Sequence, residues 1–209
     1  MKIEKPKVSK CIDKNLIDAN LEDDYTNYHF SSNIKSEIII NNTTFDSCIF
    51  ENIDFTNIEL NDVSLLDVIF NNCDLSNKTF DNKLIGRVIF KNCKMVGVSF
   101  IDSALKDVEF DNCLMKYLNL SNSKLTNVLF KDCNLEESSL IELTVKNIEF
   151  INSNLNHSDV LKSNLKGIDF STTNISGTRF DFYSLKGIQV DSFQCQSLVG
   201  MLGVEVKDD

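Results

Sequence analysis

The chain has 209 residues, 42% apolar and 25% charged, with a formal net charge of −10 and a pI near 4.7. That length suits one domain. No apolar run is long enough for a membrane span, and the charged start from Met1 to Lys10 does not fit a secretory signal. The acidic balance argues against direct nucleic-acid binding, where a basic footprint is expected, and leaves room for a protein that imitates nucleic acid electrostatically.

Residues 1–24 keep a phase of their own. Cys11, Leu16 and Leu21 lie five apart but out of step with everything that follows. The shift has to be absorbed between Asp23 and Glu37. Lys35 falls where an apolar residue belongs, so Ser31 to Glu37 is expected to bulge as a short loop.

From Ile40 to Val190 every fifth residue is apolar: 31 consecutive positions, 12 of them Phe. At 42% apolar content, chance gives such a run with a probability on the order of 10⁻¹². A period of five belongs to neither an α-helix nor an ordinary strand. It predicts a chain that turns a corner every five residues and returns to the same interior. Sorting by 20 adds columns: Phe50 to Phe170, Val68 to Ile188, the series Cys73, Cys93, Cys113 and Cys133, and Asn52 to Asn112. Four units of five therefore make one coil, and like residues stack on like.

The expected object is an all-β solenoid of square cross-section, whose coils bury their apolar residues against one another. With coils about 4.8 Å apart, residues 40–190 span roughly 36 Å. Asn at repeated corners fits, because Asn tolerates left-handed backbone angles. The seven cysteines include no Cys-x-x-Cys pair, and four lie at inward positions. They are expected as reduced thiols acting as small core hydrophobes, which suits the cytoplasm. No His or acidic ligand shares their column, so neither metal nor cofactor is expected.

The same sorting assigns outward residues to faces. The face centred on Leu60 through Phe180 carries Glu59, Asp62, Asp81, Asp102, Glu142, Asp159 and Asp181, with Lys162 and Arg179 as basic exceptions. The next face carries Lys106, Lys146, Lys166 and Lys186 in one column, with Lys124 nearby. A partner with a basic groove would dock on the acidic face; alternatively, such charges only solvate the rod and discourage side-to-side association. Ile49, Ile69, Ile89 and Leu129 form an outward apolar stripe, to be covered by residues 1–24 or by a partner. Catalysis is not expected. His29 and His157 lie in unrelated units, and there is no phosphate loop or nucleophile elbow. The acidic column Asp62, Asp102 and Glu142 lies on a convex face without a pocket.

After Val190 the pattern changes. Asp191 and Gln194 have capping-box spacing, and Cys195, Leu198, Val199 and Leu202 follow on one helical face, with Gly203 to end it. Val204-Glu205-Val206 alternates like a strand. This element either caps the core or pairs with its own copy. In the second case Cys195, Leu198, Val199, Leu202, Val204 and Val206 form the dimer interface, joining two rods end to end. The expected divisions are 1–24, 25–190 and 191–209.

Ala19-Asn20-Leu21, Cys73-Asp74-Leu75, Cys133-Asn134-Leu135 and Ser153-Asn154-Leu155 resemble the A(D/N)LXX consensus of pentapeptide-repeat proteins. That resemblance implies a right-handed quadrilateral β-helix, here with a short C-terminal α-helix. Leu185-Lys186-Gly187-Ile188-Gln189-Val190, Gln194 and Met201-Leu202-Gly203-Val204 resemble the C-terminal module of the quinolone-resistance (Qnr) proteins. Leu21-Glu22-Asp23-Asp24 is most similar to the Gram-positive type. This second resemblance implies a cytoplasmic homodimer joined through the C-terminal module. It implies a DNA mimic that binds a type II topoisomerase, DNA gyrase or topoisomerase IV, and protects it from fluoroquinolones. Plasmid-borne members carry projecting loops; here the repeat runs uninterrupted from Ile38. The alternative is a non-catalytic interaction scaffold or immunity protein, met through the apolar stripe or the N-terminal segment.

Overall fold

The computed structural model describes residues 1–16, 24–32, 36–201, 203–205 and 207. Leu21, and the middle of the expected Ser31–Glu37 bulge, residues 33–35, lie outside the described residues.

Short strands open the fold: β1 (Ile12–Asp13), β2 (Tyr25–Thr26), β3 (Tyr28–Phe30), β4 (Ile38–Asn41), β5 (Thr44–Asp46), β6 (Ile49–Glu51) and β7 (Ile58–Asn61). Five strands of eight residues follow: β8 (Ser64–Asn71), β9 (Leu84–Lys91), β10 (Ala104–Asp111), β11 (Lys124–Lys131) and β12 (Thr144–Ile151). Then come β13 (Asp159–Val160), β14 (Arg179–Phe180), α1 (Phe182–Leu185) and α2 (Ser192–Met201). From β2 onward the pairings are parallel at a 20-residue offset, as in Leu105↔Leu125 and Phe110↔Phe130. The chain is a right-handed quadrilateral β-helix with a short C-terminal helix.

The five-residue period has a backbone cause. Left-handed φ recurs two residues after most central apolar positions, as at Asn52 (56°), Asp62 (56°), Asn72 (54°) and Asn82 (58°). Asn and Asp enter this region at little cost, so they make good corners. Each of the long strands bends at such a corner and so covers parts of two faces: β10 turns at Asp107 (φ 56°), between Leu105 and Phe110.

The corners aim two side chains per unit inward. Of the 31 central residues only Leu60, Val145, Leu185 and Val190 are less than fully buried. The Phe column stacks ring on ring at the coil spacing: 4.8 Å for Phe50–Phe70, 5.0 Å for Phe90–Phe110 and 4.8 Å for Phe110–Phe130. The second inward position holds small or branched side chains. Its buried hydroxyls and thiols donate to carbonyls of the preceding coil, as from Ser103 Oγ to Phe80 O (2.7 Å) and from Cys113 Sγ to Phe90 O (3.3 Å). All seven cysteines are free thiols. Burial pushes the Cys48 thiol up to about 11.

Two lysines depart from the inward rule. Lys78 and Lys83 occupy the second inward position yet are only half-buried. Their long stems let the ammonium escape to water, and Lys83 reaches Asp62.

The ends differ from the shaft. Ile12 of β1 pairs with Tyr28 at an offset of 16 rather than 20, the phase shift expected of this segment. Leu16 is fully buried, and Tyr25, Tyr28 and Phe30 cluster nearby. At the other end the capping box forms: Gln194 N donates to Asp191 Oδ1 (2.8 Å) and Asp191 N to Gln194 Oε1 (3.0 Å). Gln194 Nε2 also donates to the carbonyls of Phe170 (2.9 Å) and Thr173 (2.6 Å), satisfying the edge of the last full coil. Val204 and Glu205 are not in a strand, contrary to the alternation seen in the sequence. They follow the helix directly and have no neighbouring strand to pair with among the described residues.

Candidate protein-interaction surfaces

The acidic face is built by corners. Asp62, Asp102 and Glu142 sit at left-handed positions (φ 56°, 53° and 57°), where the side chain projects to solvent. All seven predicted carboxylates lie on this side of the rod, but they are not equally free. Lys83 pairs with Asp62, Lys162 with Glu142 (2.7 Å) and Arg179 with Asp159 through both of its oxygens. Three of seven are thus paired; among the described residues Glu59, Asp81, Asp102 and Asp181 make no ion pair, although the Lys162 ammonium is also drawn to Asp181. Glu59 accepts from Asn61 Nδ2 (3.1 Å), and Asp81 from Ser99 Oγ (2.6 Å) and Ile101 N (2.7 Å). Asp181 caps α1 and accepts from Ser184 N (2.7 Å) and Lys162 N (2.8 Å). Burial raises its pKa, but these bonds win and hold the carboxyl below its ordinary value. Asp102 is exposed.

On the neighbouring lysine face, sequence reasoning missed a groove. Leu84 is 78% exposed and Leu66 37%, and with Gly86 and Ala104 they line an open hollow rimmed by Arg87, Lys106 and Lys124. The signal was present: Gly86 interrupts a column of larger side chains, and a Cβ there would meet Leu66 Cδ1 at 3.3 Å.

The first ten residues run beside the apolar stripe, as an extended strap along the corner. Met1 N bonds Glu149 Oε1 (2.8 Å), Glu4 N bonds Asp107 Oδ1 (3.2 Å), Lys5 pairs with Glu109, and Lys7 N bonds Asp67 Oδ1 (2.8 Å). Ile3, Pro6 and Val8 are half-buried, as are Ile49, Ile69, Ile89 and Leu129. Asp67 is also clamped by Arg87 (2.7 and 2.6 Å). The Arg87 bonds, against burial and aided by Lys7 N–H, hold its carboxyl below the usual range.

Of the predicted dimer residues, Leu198 is half-buried against the core at the end of the rod, Val199 is half-buried, and Cys195 and Val204 are exposed. Leu202 and Val206 lie outside the described residues. Phe193 (79%), Phe182 (78%) and Tyr183 (58%) are exposed toward the C-terminal end and were not singled out by the periodicity. His29 lies between Asp13 (2.8 Å) and Glu51 (3.5 Å) at the surface, and His157 packs over Gly177. Among the described residues no group of His, Cys, Asp and Glu is arranged to hold a metal, and no helix is long and apolar enough to cross a membrane.

A comparison with curated protein sequences gives no match. Among solved structures, full-length QnrB1, a plasmid-mediated fluoroquinolone resistance protein, aligns over 87% of this chain and 100% of its own, at 16% identity and a TM-score of 0.37. Rfr23 from the cyanobacterium Cyanothece 51142 aligns over 59% and 91%, at 15% identity and 0.34. HetL, involved in heterocyst differentiation regulation in Nostoc sp. strain PCC 7120, aligns over 79% and 86%, at 9% identity and 0.30. The sequence profile for a pentapeptide repeat region matches residues 63–140, and that for eight-copy pentapeptide repeats matches residues 39–77 and 133–171. Together these matches run unbroken over residues 39–171, well over half of the 209, and the chain belongs to the pentapeptide-repeat family.

Proposed function

We propose that the protein is a rod-shaped mimic of duplex DNA that binds a type II topoisomerase, DNA gyrase or topoisomerase IV, in the cytoplasm and protects it from fluoroquinolones. The observation that carries this reading is the acidic face: seven carboxylates along one side of the rod, of which Glu59, Asp81, Asp102 and Asp181 make no ion pair among the described residues. Such a surface offers regularly spaced negative charge to a basic groove built for phosphates. The Qnr-like residues of the C-terminal module support the same partner. Phe193, Met201 and Val204, all exposed near one end, support a homodimer joined there.

The test is a supercoiling assay with purified gyrase, with and without ciprofloxacin. Restored supercoiling in the drug's presence supports the full reading. Inhibition without rescue keeps the mimicry and removes the protection. No effect at high protein concentration removes both. The exposed Leu66–Leu84 groove favours a second reading, an interaction scaffold with another protein partner. Leu84→Lys would then abolish partner capture while acidic-face changes leave it intact.

A further inference from the structure

The groove beneath the strap is built to take an extended peptide. Asp67 and Asp107 are only 4% and 2% exposed, yet each gives a carboxylate oxygen to a main-chain N–H of the strap. They stand 40 residues apart, two coils, and the N–H groups they accept are three residues apart. Three residues of extended chain rise about 10 Å, and two coils about 9.6 Å, so a strand laid along the rod meets every second coil in register. Between these anchors Ile69 and Ile89 offer a low apolar floor, which Leu129 continues one coil beyond Asp107, and Glu109 and Glu149 take positive charge. The occupant matches: four lysines and one glutamate in ten residues, with Ile3, Pro6 and Val8 half-buried. Main-chain bonds give affinity, while charge and small aliphatic side chains give selectivity, the logic of an extended-peptide site.

We propose that this groove is a docking track for an extended, lysine-rich segment of a partner protein, held in the free protein by the chain's own first ten residues. The strap acts as a tethered competitor at an effective concentration of about millimolar. A free segment therefore binds poorly to the closed form. A partner already bound elsewhere on the rod presents its segment at a comparable local concentration and exchanges with the strap. The inference does not depend on topoisomerase being that partner.

The experiment uses the full-length chain carrying Ile3→Asp, Lys5→Glu and Val8→Asp, which repel the strap from its groove. A fluorescent peptide with the sequence of residues 1–10 is titrated into it and into wild type, and anisotropy is read at low and high salt. The expected result is affinity for the variant at least about tenfold above wild type, since the tethered competitor is gone. Binding should weaken with salt and be lost when Asp107→Asn and Glu109→Lys are added. A scrambled peptide of the same charge should bind less well. No binding to the variant while hydrogen exchange shows the strap released would overturn the proposal, as would equal affinity for both proteins. Self-association of the variant would overturn it too, by making a second copy the occupant. If the triple variant loses its β-sheet circular dichroism, Lys5→Glu alone carries the test with the same readings.

Discussion

Phe110 lies between the rings of Phe90 and Phe130, at 5.0 and 4.8 Å, with no exposure to water. Phe110→Ala should cost about 3–5 kcal/mol in urea unfolding, because neighbouring coils are too tightly paired to close the cavity. Tyr117 shows the opposite condition. It sits at a left-handed corner (φ 62°), half exposed, where an L side chain costs roughly 1–2 kcal/mol and Asn or Gly much less. Tyr117→Gly should raise the urea midpoint without changing the slope of the transition; a lower midpoint would show that its contact with Glu137 outweighs the strain. The inward positions were legible in the sequence because sterics at a five-residue turn leave little choice. Lys78 and Lys83 were not, since a long side chain can occupy an inward position and still put its charge outside. The pairing of Glu142 with Lys162 and of Asp159 with Arg179 was legible in principle, both being 20 residues apart and so stacked on adjacent coils.

At the scale of elements, the strap and the C-terminal helix each close something the repeat leaves open. Asp67 binds the strap as a carboxylate and its folded-state pKa is depressed. Its contribution is therefore complete above the unfolded value of about 3.9 and is lost as pH falls through the folded value. The Lys7 amide resonance should move toward its free-strap position below about pH 4 and hold steady above it. A constant shift through that range would show that Asp67 does not retain the strap. Gln194→Ala removes half of the capping box and both bonds to the last coil. It should cost about 1–2 kcal/mol in unfolding stability. The capping box was readable from Asp191 and Gln194 because it is local. The second use of Gln194, on the carbonyls of Phe170 and Thr173, was not, because nothing in the local sequence says which coil edge the helix meets.

For the whole rod, the proposed partner surface depends on uncompensated charge rather than on the number of carboxylates. Asp102→Lys should weaken gyrase binding by roughly fivefold or more at low salt, less at high salt. Removing both members of the Asp159–Arg179 pair (Asp159→Ala with Arg179→Ala) should matter less, because it leaves the net charge of the face unchanged. Equal effects from the two would mean that binding does not follow net charge on this face.

The sequence by itself determined the coil, its core, its corners and the helix that ends it, because each rests on residues near in sequence or on a strict repeat of 20. A phase shift was also legible, but its place was not: it was expected between Asp23 and Glu37, whereas Tyr25 already pairs with Phe45 at the regular offset of 20 and Ile12 pairs with Tyr28 at 16. Only the tertiary structure decided which acidic residues are paired, that Gly86 opens a groove, and that residues 1–10 lie along the column of the apolar stripe, bonded to Asp67, Asp107, Glu109 and Glu149. Those outcomes depend on where long side chains and a non-repeating segment settle. A strap with no period has no register until a folded ladder of coils supplies one: Glu4 and Lys7 find Asp107 and Asp67 103 and 60 residues away.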